Sequence, residues 1–303
     1  MKLVTYRVKP EESARLGYLH DNTVINVALL GEIVGQYLPD TMQSFIDAGD
    51  SAKSTLKTLI DQYQDNWPVG TMTAKGDAQL LAPIPRPQKN IFGIGLNYTE
   101  HVAESSRSLD TAKELPQEPV IFTKPPTAVV SWCDPIIHRE TFTQQLDWEV
   151  ELAVIIGSGG SSISLDDAMS HVFGYTIIND VSARDCRRAG QWIVSKGQDS
   201  FAPMGPVFVT TDEIEDPHNL NLWLKKNDEM KQNSNTKFML FKIPELIADI
   251  SRVMRLEPGD IIATGTPAGV GAGHDPQEWM WPGDVIEAGI DGIGIIRNPV
   301  IKG

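Results

Sequence analysis

Two glutamates, two residues apart in an otherwise apolar run, are the first residues in this chain with chemistry to offer. The run is Leu146-Asp147-Trp148-Glu149-Val150-Glu151-Leu152-Ala153-Val154-Ile155-Ile156-Gly157. Its β-branched and aromatic content predicts one strand. On a strand, positions i and i+2 share a face, with Cβ atoms roughly 7 Å apart. Like charges held there among Trp148, Val150, Leu152 and Val154 repel and lose hydration unless a cation lies between them. That cation is either a metal ion or an Arg or Lys from a neighbouring strand. A third carboxylate, Asp180, ends the apolar run that starts at His171, and Val181-Ser182-Ala183-Arg184-Asp185 follows. Ser182 reads as a helix N-cap, which sets Asp180 at a strand-to-helix switch. Three carboxylates with no His or Cys beside them form an all-oxygen set. Such a set favours Mg²⁺ first, then Mn²⁺ or Ca²⁺.

Other groups could serve such a centre. His101 and Glu104 are i and i+3 on a predicted helix and hence neighbours on one face. A carboxylate beside an imidazole fixes its tautomer and raises its basicity, as a general base acting on water requires; a plain surface pair is the other reading. The polar loop 105–118 after them reads as a lid or as a surface insertion. Arg184, four residues after Asp180, could pair with it or grip a substrate carboxylate. Lys196 lies among small and apolar residues in a Gly/Pro-punctuated segment, 195–206, that reads as loop. Ala263-Thr264-Gly265-Thr266-Pro267-Ala268-Gly269-Val270-Gly271 is a Gly-rich loop whose N–H groups and hydroxyls could cradle a carboxylate.

The elements that must position these groups follow from periodicity. Residues 1–30 alternate as strands, with a hairpin turning at Asp21-Asn22. Helix spacing of apolar residues marks 41–63 and 243–254. Strands are predicted near 219–225, 260–264 and 284–297. The Pro-rich stretch 82–87 divides a small N-terminal α/β domain, 1–80, from a larger domain, 81–303. The chain has 303 residues and a net charge of −14, which argues against nucleic acid or an anionic membrane surface as the main partner. No run of 18 apolar residues occurs, so no membrane span is expected. The two cysteines, Cys133 and Cys186, form no framework. They suit a reducing compartment, by default the cytoplasm.

Taken together, five segments resemble the fumarylacetoacetate hydrolase family in its shorter bacterial and mitochondrial-type branch. They are Gly95-Leu-Asn-Tyr98 with His101 and Glu104; Asp147-Trp-Glu149-Val-Glu151-Leu; Asn179-Asp180-Val-Ser-Ala-Arg184-Asp185; Lys196 with Asp199 and Pro203-Met-Gly-Pro206; and Gly259 to Gly271. They stand in family order between about residues 80 and 297 of the sequence. The resemblance implies an α+β, mostly β fold: a mixed β-sandwich roll as catalytic domain, assembled as a homodimer. It implies Mg²⁺ or Mn²⁺ on Glu149, Glu151 and Asp180, and a water-activating His101–Glu104 dyad on a lid. Lys196 would stabilise an enolate, and Arg184, Gln198, Gly265 and Thr266 would contact substrate. Two positions depart from the pattern: Arg187 stands where the family often has Gln, and Ser195 where a Gly commonly precedes the Lys. An extra cation near the pocket bears on which anionic tail is accepted.

These residues predict, first, hydrolysis of a C–C bond in a 1,3-diketo acid of the acylpyruvate or fumarylpyruvate kind, releasing pyruvate or a related keto acid. A second expectation uses the same metal-held enolate without water attack, as an oxaloacetate decarboxylase or a 2-hydroxy-dienoate isomerase. A third is a dimeric binding protein that keeps the pocket without turnover. Trp192 and Arg187, near the site in sequence, are expected to line the pocket.

Overall fold

A computed structural model describes residues 1–108, 114–188 and 190–303 and, among these, all side chains except those of 103 and 105–108. The core is built on the strand Val150–Ile156, buried along its whole length. It pairs antiparallel with Val172–Asn179 on one side and Ile261–Ala263 on the other. A strand buried on both faces reads as a continuous apolar run rather than an alternating one, and these do. The sheet extends from Ile261–Ala263 through Ile91–Gly95 to Val120–Lys124, and from Val172–Asn179 to Ala202–Thr210. The N-terminal strands continue it, because Lys2 and Leu3 pair with Val209 and Phe208.

A second sheet of five strands, centred on Asn221–Lys226 and Val285–Ile290, packs against the first. Leu222, Leu224, Ile286 and Ala288 are among its buried positions. The outcome is a mixed, mostly β fold, as expected. The helix Met42–Tyr63 starts at Thr41, whose hydroxyl caps Ser44 N–H, and breaks at Gly49, where φ is 60°. Its Phe45 ring lies 5.9 Å from that of Phe173 on the main sheet. No helix among the described residues is long and apolar enough to cross a membrane.

Three local expectations are corrected. The run from Leu146 is not one strand: Leu146–Asp147 pairs with Ser182–Ala183, and the long strand starts only at Val150. Side chains capture the backbone in between. Trp148 N–H donates to Asp147 Oδ1, Glu149 N–H to Asn179 Oδ1 and Val150 N–H to Gln232 Oε1. Ser182 caps no helix; it lies in that short strand, its hydroxyl donates to Asp180 C=O, and only a single 3₁₀ turn, Arg184–Cys186, follows. The segment 195–206 is not all loop, because Ile193–Lys196 is a helical turn and Ala202–Thr210 a strand. Thr176 stitches that strand's prolines into the sheet by donating to Gly205 C=O and Val207 C=O. Of the loop 105–118, residues 109–113 lie outside the described residues; 105–108 end the helix Thr99–Ser108.

Candidate active site

The backbone break at Trp148–Glu149 lets three acids converge. Glu149, Glu151 and Asp180 are buried, each with a carboxylate oxygen within 4.8 Å of the others'. Asp180 is held by its own N–H, which donates to Glu149 C=O at 2.8 Å. Lys196 reaches between two of the acids, 2.8 Å from Glu149 Oε2 and 2.6 Å from Asp180 Oδ2. Lys124, fully buried, binds the other oxygen of Asp180. Arg184 Nε donates to Asp147 Oδ2 at 2.8 Å, and its Nη2 lies 2.6 Å from Glu149 Oε1, close enough for an ion pair but not aimed for a hydrogen bond.

Charge states follow from these partners. Burial alone would push Glu149 up, but Lys196 and Arg184 outweigh it and hold it far below the usual carboxylate range. Burial works against the Lys196 charge too, and Asp180 and Glu149 restore it. Lys124 is pushed down by burial that Asp180 only partly offsets. Glu151 is different. Among the described residues no cation pairs with it, and its Oε2 accepts only the Gly265 N–H, at 2.9 Å. Burial, with Asp180 and Glu149 nearby, drives its carboxyl well above the ordinary range. A buried acid in that conflict is what a hard divalent cation relieves, so the donor set fits one.

The helix Thr99–Ser108 brings His101 and Glu104 over this centre, both buried. His101 Nδ1 is 3.2 Å from Glu104 Oε2. The Gly269 N–H donates to both Glu104 oxygens, at 3.0 and 3.3 Å, which pins the helix to the Gly-rich loop. Asp147 anchors the same loop, accepting from Gly271 N–H at 2.6 Å and Ala272 N–H at 3.1 Å. Asn97 clamps its start, donating to Thr264 C=O and Phe241 C=O and accepting from Phe241 N–H.

A pocket opens here, lined among others by His101, Glu149, Arg184, Lys196 and Thr266. Arg187 and Trp192 line it as well. Gly265 and Thr266 lie at the site but spend their donors within the protein: the Thr266 hydroxyl donates to Val150 C=O and accepts from Gln232. Gln198 is not brought to the cavity; its amide donates to Val194 C=O in the preceding turn. Sequence reasoning missed Lys124, though spacing of two sets it on the face of Val120–Lys124 that carries buried Phe122. Gln232, which bridges Val150, Thr266 and Pro267, gave no signal in its polar strand.

Acids this close and this deep, with a His–Glu pair over them and a charged lysine at their edge, form a site whose donors suit a divalent cation beside an acid–base pair. The particular family is shown by comparison. The chain belongs to the fumarylacetoacetate hydrolase family, whose model for the fumarylacetoacetate (FAA) hydrolase C-terminal region matches residues 90–301. It is 40% identical to the mitochondrial oxaloacetate tautomerase fahd2 of Xenopus laevis, over 99% of this chain and 90% of that one. It is 41% identical to the oxaloacetate tautomerase YisK of Bacillus subtilis, over 87% of each chain. Among solved structures it resembles a maleylpyruvate hydrolase from Sphingobium sp. SYK-6 in complex with manganese(II) and pyruvate. That likeness has a TM-score of 0.78 and 28% identity and covers both chains fully.

Proposed function

We propose that this enzyme moves a proton between the enol and keto forms of a small 2-oxo dicarboxylate, with oxaloacetate, the compound its relatives are named for, as substrate. The observation that carries the reading is the placement of His101: a buried imidazole, steered by Glu104, on the same cavity wall as Glu149, Arg184 and Lys196. Ketonisation breaks the enol O–H bond, shifts the electron pair toward carbon and makes a C3–H bond. His101 is the residue positioned to carry that proton, through Nε2, since Glu104 engages Nδ1. Lys196, held charged by Asp180 and Glu149, offsets the enolate charge that develops on oxygen. A divalent ion on Glu149, Glu151 and Asp180, Mg²⁺ or Mn²⁺ by donor chemistry, would supply Lewis acidity at the 2-oxo and carboxylate oxygens. Free Cys133 and Cys186 support a reducing compartment, the cytoplasm by default, and the family resemblance supports a homodimer.

A second reading is the C–C hydrolysis of an acylpyruvate. The apolar part of the cavity wall, Ile94, Leu96 and Trp192, has the character to receive an acyl tail, and His101–Glu104 could activate water. One assay separates the two. The enol signal of oxaloacetate and the products of an acylpyruvate are followed side by side, with Mg²⁺, with chelator and with His101→Ala. Tautomerisation predicts metal-dependent enol decay that falls about 10²-fold or more in the variant. Release of a carboxylic acid plus pyruvate from the acylpyruvate, with enol decay at the uncatalysed rate, would put hydrolysis in its place. Loss of CO₂ from oxaloacetate as the only reaction would make the enzyme a decarboxylase.

A further inference from the structure

For a chain of net charge −14, the cavity wall is oddly cationic: Arg184, Arg187 and Lys196 face it with a single carboxylate, Glu149. Two of those cations are already committed, Arg184 to Asp147 and Glu149, and Lys196 to Glu149 and Asp180. Arg187 is not. Among the described residues it makes no ion pair and no hydrogen bond; its guanidinium lies 4.7 Å over the Trp192 ring.

That stack is built rather than incidental. The Trp192 ring lies 5.2 Å from the Phe122 ring on its strand. Gly95 makes room for it, since a Cβ there would come within 2.6 Å of the indole. A guanidinium lying on an aromatic face keeps its edge, with its forked N–H donors, available for a carboxylate. Arg187 is largely exposed at the pocket; the part of it that is buried and the neighbouring Arg184 charge both work against its charge, and Glu149 opposes them only weakly. An arriving anion would relieve that pressure.

We propose that Arg187 binds the distal carboxylate of the substrate and makes the site selective for 2-oxo dicarboxylates over 2-oxo monocarboxylates. The choice of reaction rests on the enol–keto reading above; the choice of ligand class does not. Where the resembling family often has Gln, an amide would offer a hydrogen bond but no charge.

The test compares oxaloacetate with 2-oxobutyrate, which has the same chain length and a methyl group in place of the second carboxylate. Calorimetric titration of the Mg²⁺-loaded protein, in the cold, measures binding apart from turnover. The wild type should bind oxaloacetate about tenfold to a hundredfold more tightly, the range for a charge-assisted hydrogen-bonded pair. Arg187→Gln should lose most of that preference while binding 2-oxobutyrate as the wild type does. Arg187→Lys, with the charge but not the fork, should keep part of it. Equal weakening toward both ligands, or no change toward either, would overturn the proposal. Enol decay measured alongside separates the claims. Selective binding lost in Arg187→Gln, without turnover by the wild type, sinks the reaction and leaves Arg187 in its role. Turnover without selectivity sinks Arg187 alone.

Discussion

Gly273 lies beneath the carboxylate of Glu104, and filling that space tests whether the contact holds the helix Thr99–Ser108 over the site. A Cβ at Gly273 would come within 2.0 Å of Glu104 Cδ and Oε1 and 2.3 Å of Cγ. Gly273 is not among the residues with positive φ, so alanine adds no backbone strain there. Ordinary contact begins near 3.4 Å, so the carboxylate must withdraw by about 1.4 Å, the difference between 3.4 and 2.0 Å. Its hydrogen bonds from Gly269 N–H, now 3.0 and 3.3 Å, cannot survive such a shift. A charge-assisted hydrogen bond contributes roughly 1.5–3 kcal/mol, so Gly273→Ala should shift the closed position of this helix by about tenfold to a hundredfold. Hydrogen exchange should speed up by that factor in the backbone amides of 99–108. Turnover should fall in parallel, because His101 is carried on the same helix, while strands such as Val150–Ile156 keep their protection. Exchange and turnover both at wild-type values would refute the idea that the Glu104–Gly269 contact sets the closed state.

Metal binding should depend on pH through Glu151. Its carboxyl is raised by burial and by Asp180 and Glu149, so below that raised value the metal-free site carries a proton which an incoming cation must displace. Affinity should therefore climb with pH and flatten above the Glu151 titration, with about one proton released per ion in that window; calorimetry in buffers of different ionisation enthalpy reads this, and pH-independent affinity would refute it. Asn97→Ala strips partners from the buried Thr264 C=O and the half-buried backbone groups of Phe241, and urea unfolding should show a loss of about 2–3 kcal/mol, with weaker metal binding as the Gly265 loop loosens. Lys196→Met leaves Glu149 and Asp180 with less compensation, so the metal-free protein should lose about 3–5 kcal/mol and excess Mg²⁺ should restore part of it. Equal destabilisation with and without Mg²⁺ would count against a shared charge site.

Much of this centre was legible because desolvation is severe enough to mark a sequence. Glu149 and Glu151 in a run of Val, Leu and Ile demand compensation wherever the fold puts them, and Asp180 closing an apolar strand demands the same. The rest escaped for physical reasons. The strand was read straight through Trp148–Glu149, because nothing in a one-dimensional pattern shows that Asp147, Asn179 and Gln232 will take its N–H groups. Both sides of the sequence alternative for the glutamates have substance: cations from elsewhere in the fold do pair with Glu149, yet none pairs with Glu151 among the described residues. The family resemblance implies a substrate contact for Gln198, but a four-residue helical turn directs its amide back to Val194. Long-range partners of this kind depend on topology, which local spacing does not encode.

The same long-range contacts argue against a centre kept for stability alone. Burying acids beside cations costs desolvation that their mutual attraction repays only where geometry and extra hydrogen bonds are good, and apolar side chains of similar volume often do as well or better. Here every acid but Glu151 has a cation beside it, even though Arg184 Nη2 meets Glu149 as an ion pair and not as a hydrogen bond. Asp147 collects Arg184 and three backbone N–H groups, Asp180 is held by two lysines, and Glu149 lies between Lys196 and Arg184. The uncompensated acid sits at the junction of the central strand and the Gly-rich loop, where Gly265 N–H is its one hydrogen bond among the described residues. Stability alone would favour a cation or a methyl group at that point. Under the proposed function, a cation-shaped deficit, concentrated on one residue and covered by a His–Glu pair on a helix that the same loop holds down, would tie metal capture and proton transfer to a single loop. Loosening that loop at Asn97 or at Gly273 should therefore weaken both, by routes that start on opposite sides of the cavity.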